Sequence, residues 1–344
     1  MKKDYTLIGM MNQVIEQYRE GNIPTAETLQ TSMDAYIKEN VTKAYIDSLS
    51  AESVAPVLET IGDVDFFFAN GTPITVQDRT DGETGALITW ETGEMNIGEN
   101  THVFGGRHDD DTPTNGDITM VGGTVRNVFG GGLHKSHTVL ATVKMSGGKT
   151  ASVCGGGVGA LTKACGCEGS SYNGDAANSP CVCDEARVTV TGGEVTSTIF
   201  GGGQGINYCK KVILVVGGTV KTPYVTPGGS HGQTDEAVTT ITGDAEINVV
   251  QGINRGLTKV VKTTVNGGKI NGLFAGGEVP FIDSAAVDPT GIFESVKLVV
   301  AGGDVANLSL GSYDYKRIEA GDEIINSVKV VIEDASAIKV NHIV

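Results

Sequence analysis

The stretch "VGGTVRNVFGGG", residues 121–132, holds five glycines in twelve positions. Two kinds of backbone need glycine this densely. A phosphate-binding loop brings bare N–H groups up to an anion, and a tight corner needs the positive φ that other residues resist. What flanks the stretch decides between them. A phosphate loop feeds a helix and carries GxxxxGK with a hydroxyl residue, or follows a strand as GxGxxG. Here alternating apolar residues run on both sides, and the stretch recurs. Copies stand at "SGGKTASVCGGG" (146–157) and "TGGEVTSTIFGGG" (191–203), with weaker ones at 216–229, 242–252, 266–277 and 301–311. The corner reading wins.

The first glycine of each pair falls at 122, 147, 192, 217, 243, 267 and 302, and four of the six intervals are about 25 residues. A fixed period of this size marks a solenoid. Two and four positions ahead of the glycine stand Met120 and Ile118, Met145 and Val143, and Val190 and Val188. The series runs on through Val215 and Ile213, Ile241 and Thr239, Val265 and Thr263, and Val300 and Leu298. Alternation with period two puts one side chain in two into a core. After the pair comes a column of Val125, Thr150, Val195, Val220, Ile270 and Val305, then one of Val128, Val153, Ile199, Val225, Val249, Leu273 and Leu308. Ile88 and Trp90 suit a first rung, and Val330 and Ile332 a last one. The fold expected over residues 88–344 is therefore mainly β, a β-solenoid of about nine coils. Each coil buries its face only against its neighbours, over roughly 40 Å.

Residues 1–62 lack the repeat. Ile8, Met11, Val14, Ile15 and Tyr18 are spaced like one face of a helix, and Leu29, Met33, Tyr36 and Ile37 like a second after Pro24. A third helix is expected near 41–49, with Ser50 and Glu52 capping a short fourth. This region reads as an end cap, as an oligomerisation and docking segment, or as both. Residues 63–87 are expected as short connecting strands and turns.

The whole chain has 344 residues, 49 of them glycine, and a formal net charge of −16. Such acidity argues against nucleic acid, which calls for clustered lysine and arginine. No apolar run reaches the roughly 18 residues of a spanning helix, so no membrane insertion is expected. The apolar stretch Tyr5–Met11 is short for a signal-peptide core, and export by that route is not expected.

Several residues could carry chemistry. Cys165, Cys167, Cys181 and Cys183 form two CxC hooks in an insertion at 158–186. Four thiolates around a structural Zn²⁺, disulfides, and unbridged thiols are all open readings. Cys154 shares the column of Phe129, Phe200 and Phe274 and reads as core, and Cys209 as a loop or edge residue. His108, Asp109, Asp110, Asp111 and Asp117 crowd "GGRHDDDTPTNGD" (105–117), which reads first as a solvated acidic loop and second as a Ca²⁺ site. His134 and His137 have ligand spacing in a polar loop. Glu194, Glu246 and Asp304, with Lys149 and Lys269 among them, only partly share one coil position, as a stacked-carboxylate glycosidase would need. Insertions after the second glycine cluster (133–138, 158–186, 204–210, 230–237, 278–295 and 312–326) would leave from one edge. Tyr172, Tyr208, Tyr313 and Tyr315 in them would supply binding contacts.

The "GGxVxxVFGGG" style of 122–132, 147–157 and 192–203 resembles Gly-rich β-solenoid proteins of gut bacteria and their phages. It is similar both to adhesin-like surface proteins and to fibre or decoration proteins of tailed, crAss-like gut phages. The resemblance covers roughly 88–334 in repeat style. It implies a non-enzymatic virion component: a head or tail fibre or capsid decoration, assembling as a homotrimer. Residues 1–62 would dock it on a capsid or tail protein, and the solenoid would bind a host surface glycan or protein. A bacterial cell-surface adhesin module and a polysaccharide depolymerase are the alternatives, and no catalytic residue carries over.

Overall fold

The computed structural model describes residues 54–159, 181–205, 207–230, 232–253, 257–277, 295–309, 328–332 and 342–343. The chain divides into two compact units, 1–53 and 54–344, and all described residues belong to the second. The helices expected before residue 54 lie outside the described residues.

The described residues of the second unit form twenty strands. The first five are β1 (Val57–Ile61), β2 (Val64–Phe68), β3 (Ile74–Gln77), β4 (Ala86–Trp90) and β5 (Gly93–Ile97). Next come β6 (His102–Phe104), β7 (His108–Met120), β8 (Thr124–Phe129), β9 (Leu133–Met145) and β10 (Lys149–Cys154). After these run β11 (Cys181–Val190), β12 (Glu194–Phe200), β13 (Tyr208–Val216), β14 (Lys221–Thr226) and β15 (Gln233–Ile241). The last five are β16 (Glu246–Ile253), β17 (Leu257–Gly277), β18 (Ser295–Ser309), β19 (Val328–Ile332) and β20 (His342–Ile343).

They join as two parallel ladders. One runs β3, β7, β9, β11, β13, β15, β17, β18, β19. The other runs β2, β6, β8, β10, β12, β14, β16, β17, β18, β20. Successive strands therefore alternate between ladders, and each stacks on its equivalent one repeat away. Among the described residues antiparallel pairs occur only at the start, where β1 lies on β2 and the β4–β5 hairpin lies on β3. Such strands cover a first rung whose N–H and C=O groups would otherwise offer a sheet edge.

Parallel in-register pairing stacks like on like. The inner columns of the first ladder run through Ile74, Ile118, Val143, Val188 and Leu214, and through Val76, Met120, Met145, Val190 and Val216, all buried. In the second ladder Val103, Val128, Val153, Ile199, Val225, Val250 and Leu273 form one buried column. On its other side Phe66, Phe68, Phe104, Phe129, Cys154 and Phe200 make a smaller cluster with Leu133 and Val158. Phe104 and Phe129 stack there at 4.6 Å. Cys154 pairs in register with Phe129 and Phe200, as its column predicted.

Four residues expected in the columns, Ile213, Val215, Val220 and Val249, differ from the reading of the sequence, all near two enlarged corners. Val190 pairs with Val216 and Glu194 with Lys221, so the corner after Val216 is one residue longer than the corner after Val190. The corner after Ile241 is equally long, since Ile241 pairs with Val216 and Glu246 with Lys221. Gly217 follows Val216 directly, whereas Thr191 separates Val190 from Gly192. Counting back from the glycine therefore slips by one there and exchanges the faces of the strand, while Ile241 and Thr239 ahead of Gly243 keep the inner face. The inner residues are Leu214 and Val216, not Ile213 and Val215. Thr222 takes the position expected for Val220, and Val250 that of Val249, which stands beside Tyr224 and Gly272. Val220 and Ala245, both buried, fill the two enlarged corners.

The first rung also begins earlier than Ile88 and Trp90. Ile74 and Val76 occupy it, while Ile88 is buried in the antiparallel hairpin. Residues 57–61, expected within the helical region, form β1. Of the expected edge insertions, 133–138 belongs to β9, 181–186 to β11, 208–210 to β13 and 233–237 to β15. Their backbones continue the first ladder because their amides find carbonyl partners one repeat away, which is the demand a buried polar backbone makes. Residues 160–180, 278–294 and 310–327 lie outside the described residues.

Two glycine positions show what the corners require. Gly148 sits at φ 84°. At Gly155 a Cβ would stand 2.1 Å from the Gly201 carbonyl oxygen. The triplets are where successive backbones stack without side chains, and Gly130 N donates to the Cys154 carbonyl at 2.9 Å and Gly155 N to that of Phe200 at 3.1 Å.

Candidate functional site on the outer face

The outward positions of the second ladder carry one continuous ionic column. Lys149, Glu194, Lys221, Glu246, Lys269 and Asp304 stand in one register column. Lys149 lies 3.1 Å from Glu194, Lys221 3.1 Å from Glu246, and Lys269 3.8 Å from Glu246. Parallel pairing forces equal positions together, so a column of one sign would repel itself. Alternation of sign turns that problem into a register lock. The three carboxylates thus share the position fully, and a lysine separates each from the next. Two facing carboxylates, as glycoside hydrolysis uses, are not what this column presents. A shallow groove of about 780 Å³ runs along it, with Asn248 and Asn271 beside it in a side-chain hydrogen bond of 3.0 Å.

Nearer the chain start, the same ladder opens a cleft of about 790 Å³. Asp63, Asp65, Glu99, Arg126, Asn127 and Ser152 are among its walls. Asp63 and Asp65 come from the start of β2 and the residue before it, Arg126 and Asn127 from the middle of β8, Glu99 from the turn before β6, and Ser152 from β10. His102, at the head of β6, forms part of the floor. Its ring stacks on Phe66 at 5.2 Å, and its Nδ1 lies 3.2 Å from the Asn127 amide nitrogen. Burial, and secondarily the Arg126 charge, push the His102 imidazole down to about 4. It is neutral at ordinary pH. Thr101 Oγ1 and Asn127 Oδ1 are buried beside it with no hydrogen-bond partner among the described residues. Buried polar atoms are normally satisfied by a protein group or an ordered water, and Thr101 and Asn127 both line the open polar cleft. Carboxylates, a guanidinium, an amide and hydroxyls together match a hydroxyl-rich molecule. Arg126, Asn127 and Ser152 stand within the clearest copies of the repeat, but nothing local in the sequence joins them to Asp63, Asp65 and Glu99, which precede it.

The residues singled out in the sequence are placed as follows. Cys181 and Cys183 lie on β11 with side chains facing inward, fully buried. Cys183 pairs in register with Cys209, which is therefore a buried strand residue and not a loop or edge. The hydrogen bond with Cys209, and then burial, push the Cys183 thiol well above its ordinary value. Burial pushes Cys181 up to about 12, against a hydrogen bond from Ser136. The four described cysteines are thiols. Cys165 and Cys167 lie outside the described residues, as do Tyr172, Tyr313 and Tyr315. Tyr208 is on β13, half-buried, and its hydroxyl donates to Asp235, so it belongs to a strand and not to a binding loop.

The acidic stretch is not a solvated loop: His108 to Asp117 form the first part of β7. Asp110 accepts from Arg107 at 2.7 Å, and Asp111 pairs with Lys135 at 2.8 Å. The Arg107 side chain and the hydrogen bonds of Thr112 hold the Asp110 carboxyl down at about 2, those of Thr112 first. With those carboxylates taken by cations, the oxygen cage that Ca²⁺ requires is not assembled. His137 bonds to Asp184 at 2.9 Å and stands apart from the ligand spacing with His134. Among the described residues no helix is long and apolar enough to cross a membrane. No protein-family model, no curated protein and no solved structure matches the chain.

Proposed function

We propose that residues from about 57 onward form a β-solenoid acting as a non-enzymatic structural and binding component, and that the cleft around His102 takes a surface glycan. The observation that carries this reading is the pair of buried, unpartnered oxygens, Thr101 Oγ1 and Asn127 Oδ1, at the base of a polar cleft. Sugar hydroxyls both donate and accept, and a cleft offering Arg126, Asn127 and carboxylates answers both roles. In-register columns suit a stiff scaffold that keeps such a surface open. The repeat style supports placing the protein on a virion, as a fibre or decoration projecting from a tailed phage. In that reading the residues ahead of β1 dock it, and trimerisation raises a weak affinity through several copies. The depolymerase alternative is disfavoured by the lysines between the stacked carboxylates.

Binding of the full chain to purified capsular and cell-wall polysaccharides of gut bacteria tests the proposal. Arg126→Ala and Asn127→Ala should each weaken the bound polysaccharide by tenfold or more while leaving the unfolding temperature within a few degrees. Binding that both variants retain would remove the cleft from the account, and failure to bind any polysaccharide would remove the function.

A further inference from the structure

The geometry points to a transition-metal site, best suited to Zn²⁺, formed by His108, Asp109 and His134 where two successive rungs meet. His108 and Asp109 open β7, and His134 is the second residue of β9. His108 Nε2 lies 3.4 Å from Asp109 Oδ2, and His134 Nδ1 lies 3.8 Å from Asp109 Oδ1. One ligand atom from each of the three falls within 4.8 Å of the others. Zinc with bonds of about 2.0–2.1 Å holds neighbouring ligands roughly 3.3 Å apart, so the first contact already fits. The others close by rotating Asp109 and His134, whose side chains are 62% and 37% exposed.

Three further features belong to a ligand set and not to an incidental polar group. The Glu59 carboxylate is 2.7 Å from His108 Nδ1. Donation from Nδ1–H to Glu59 leaves the Nε2 lone pair for a metal, the carboxylate–histidine arrangement that orients zinc ligands. Phe68 stacks flat against the same ring at 5.1 Å and 9°, which fixes its plane. Asp109 and His134 also stand in the left-handed region, at φ 50° and 58°, where residues with a side chain are uncommon. Strained backbone at two of three converging residues is a pattern of functional sites. An ordinary backbone bond, Leu133 N to the Arg107 carbonyl at 2.9 Å, holds the two turns together, and His134 N donates to the Val158 carbonyl of the next repeat at 2.7 Å. Two imidazoles and one carboxylate fill three positions of a tetrahedron and leave the fourth for water or a ligand atom.

Titration of the metal-stripped full chain with Zn²⁺, and with Co²⁺ for its spectrum, tests the site. The expected result is an equivalent of metal whose Co²⁺ spectrum lacks thiolate charge transfer. It should survive Cys165→Ser with Cys167→Ser and be lost in the His108→Gln/His134→Asn double variant. Asparagine tolerates a left-handed backbone, so His134→Asn alone, checked by circular dichroism, keeps the test independent of folding. Glu59→Gln should weaken binding by about 10–100-fold without abolishing it. No binding by the intact chain, binding unchanged in the histidine variants, or a thiolate spectrum lost with Cys165 and Cys167 would each overturn the assignment. A glycan-binding result with no metal effect leaves the two proposals separable.

Discussion

At the scale of single residues, His102 gives the clearest consequence of placing an ionisable group under an aromatic stack. Its imidazole titrates near 4 in the folded chain against an ordinary value of 6.5, so between those values the unfolded chain binds more protons. Stability is then fully present above about pH 6.5 and falls as the pH drops toward 4. A shift of this size corresponds to about 2–3 kcal/mol lost across the window. Denaturant unfolding at pH 7 and pH 4.5 should show that loss, and His102→Phe, which keeps the stack on Phe66, should reduce it by more than half. An equal acid sensitivity in both proteins would mean that other groups cause it. The histidine was invisible as a site in the sequence because nothing local distinguishes it. Its burial comes from Phe66 and Asn127, one on each neighbouring rung. Cys154 could be placed by its column alone, whereas Cys209 could not, because it lies ahead of the columns counted from the glycine pair and its partner Cys183 stands on another rung.

At the scale of elements, the repeat was legible because each strand and corner writes its own signal: alternation for the strand, glycine for the corner. Where the corner kept its length, the sequence columns and the structural columns agree, as at Met120, Met145 and Val190. Where Gly217 follows Val216 with no residue between, the same counting picked Ile213 and Val215, on the wrong face. Only the partner strand fixes the register there, and that information is not local. The triplet corners admit a sharp test. In Gly155→Ala the new Cβ would meet the Gly201 carbonyl at 2.1 Å and Val188 Cγ2 at 2.7 Å, so backbone must move. A cost of about 3 kcal/mol or more is expected, well above an ordinary surface substitution. Thermal or denaturant unfolding of the variant reads it directly, and a change below about 1 kcal/mol would show that the rungs are not packed this closely.

At the scale of the whole described unit, the account rests on one feature: residues a repeat apart are neighbours. The mainly β character could be read from the sequence. The antiparallel start, with β1 and the β4–β5 hairpin against the first rungs, could not, since those strands are short and outside the period. The cleft and the His108–Asp109–His134 group were equally hidden, because both are assembled from rungs that meet only after stacking. Register is therefore the quantity to measure. Lys149, Glu194, Lys221, Glu246 and Lys269 follow one another in pairing, so Lys149 and Lys269 are four steps apart despite 120 residues of intervening sequence. At about 4.8 Å a step their Cα atoms should lie roughly 19 Å apart. Both side chains are more than half exposed, and Cys154, Cys181, Cys183 and Cys209 are buried. Spin labels on Lys149→Cys and Lys269→Cys, in a chain with Cys165→Ser and Cys167→Ser, would therefore report that pair by pulsed electron resonance. A single narrow distance near 19 Å, broadened only by the label arms, is the predicted result. A broad distribution, or a peak far beyond that distance, would contradict the stacked register on which the cleft, the ionic column and the metal site all depend.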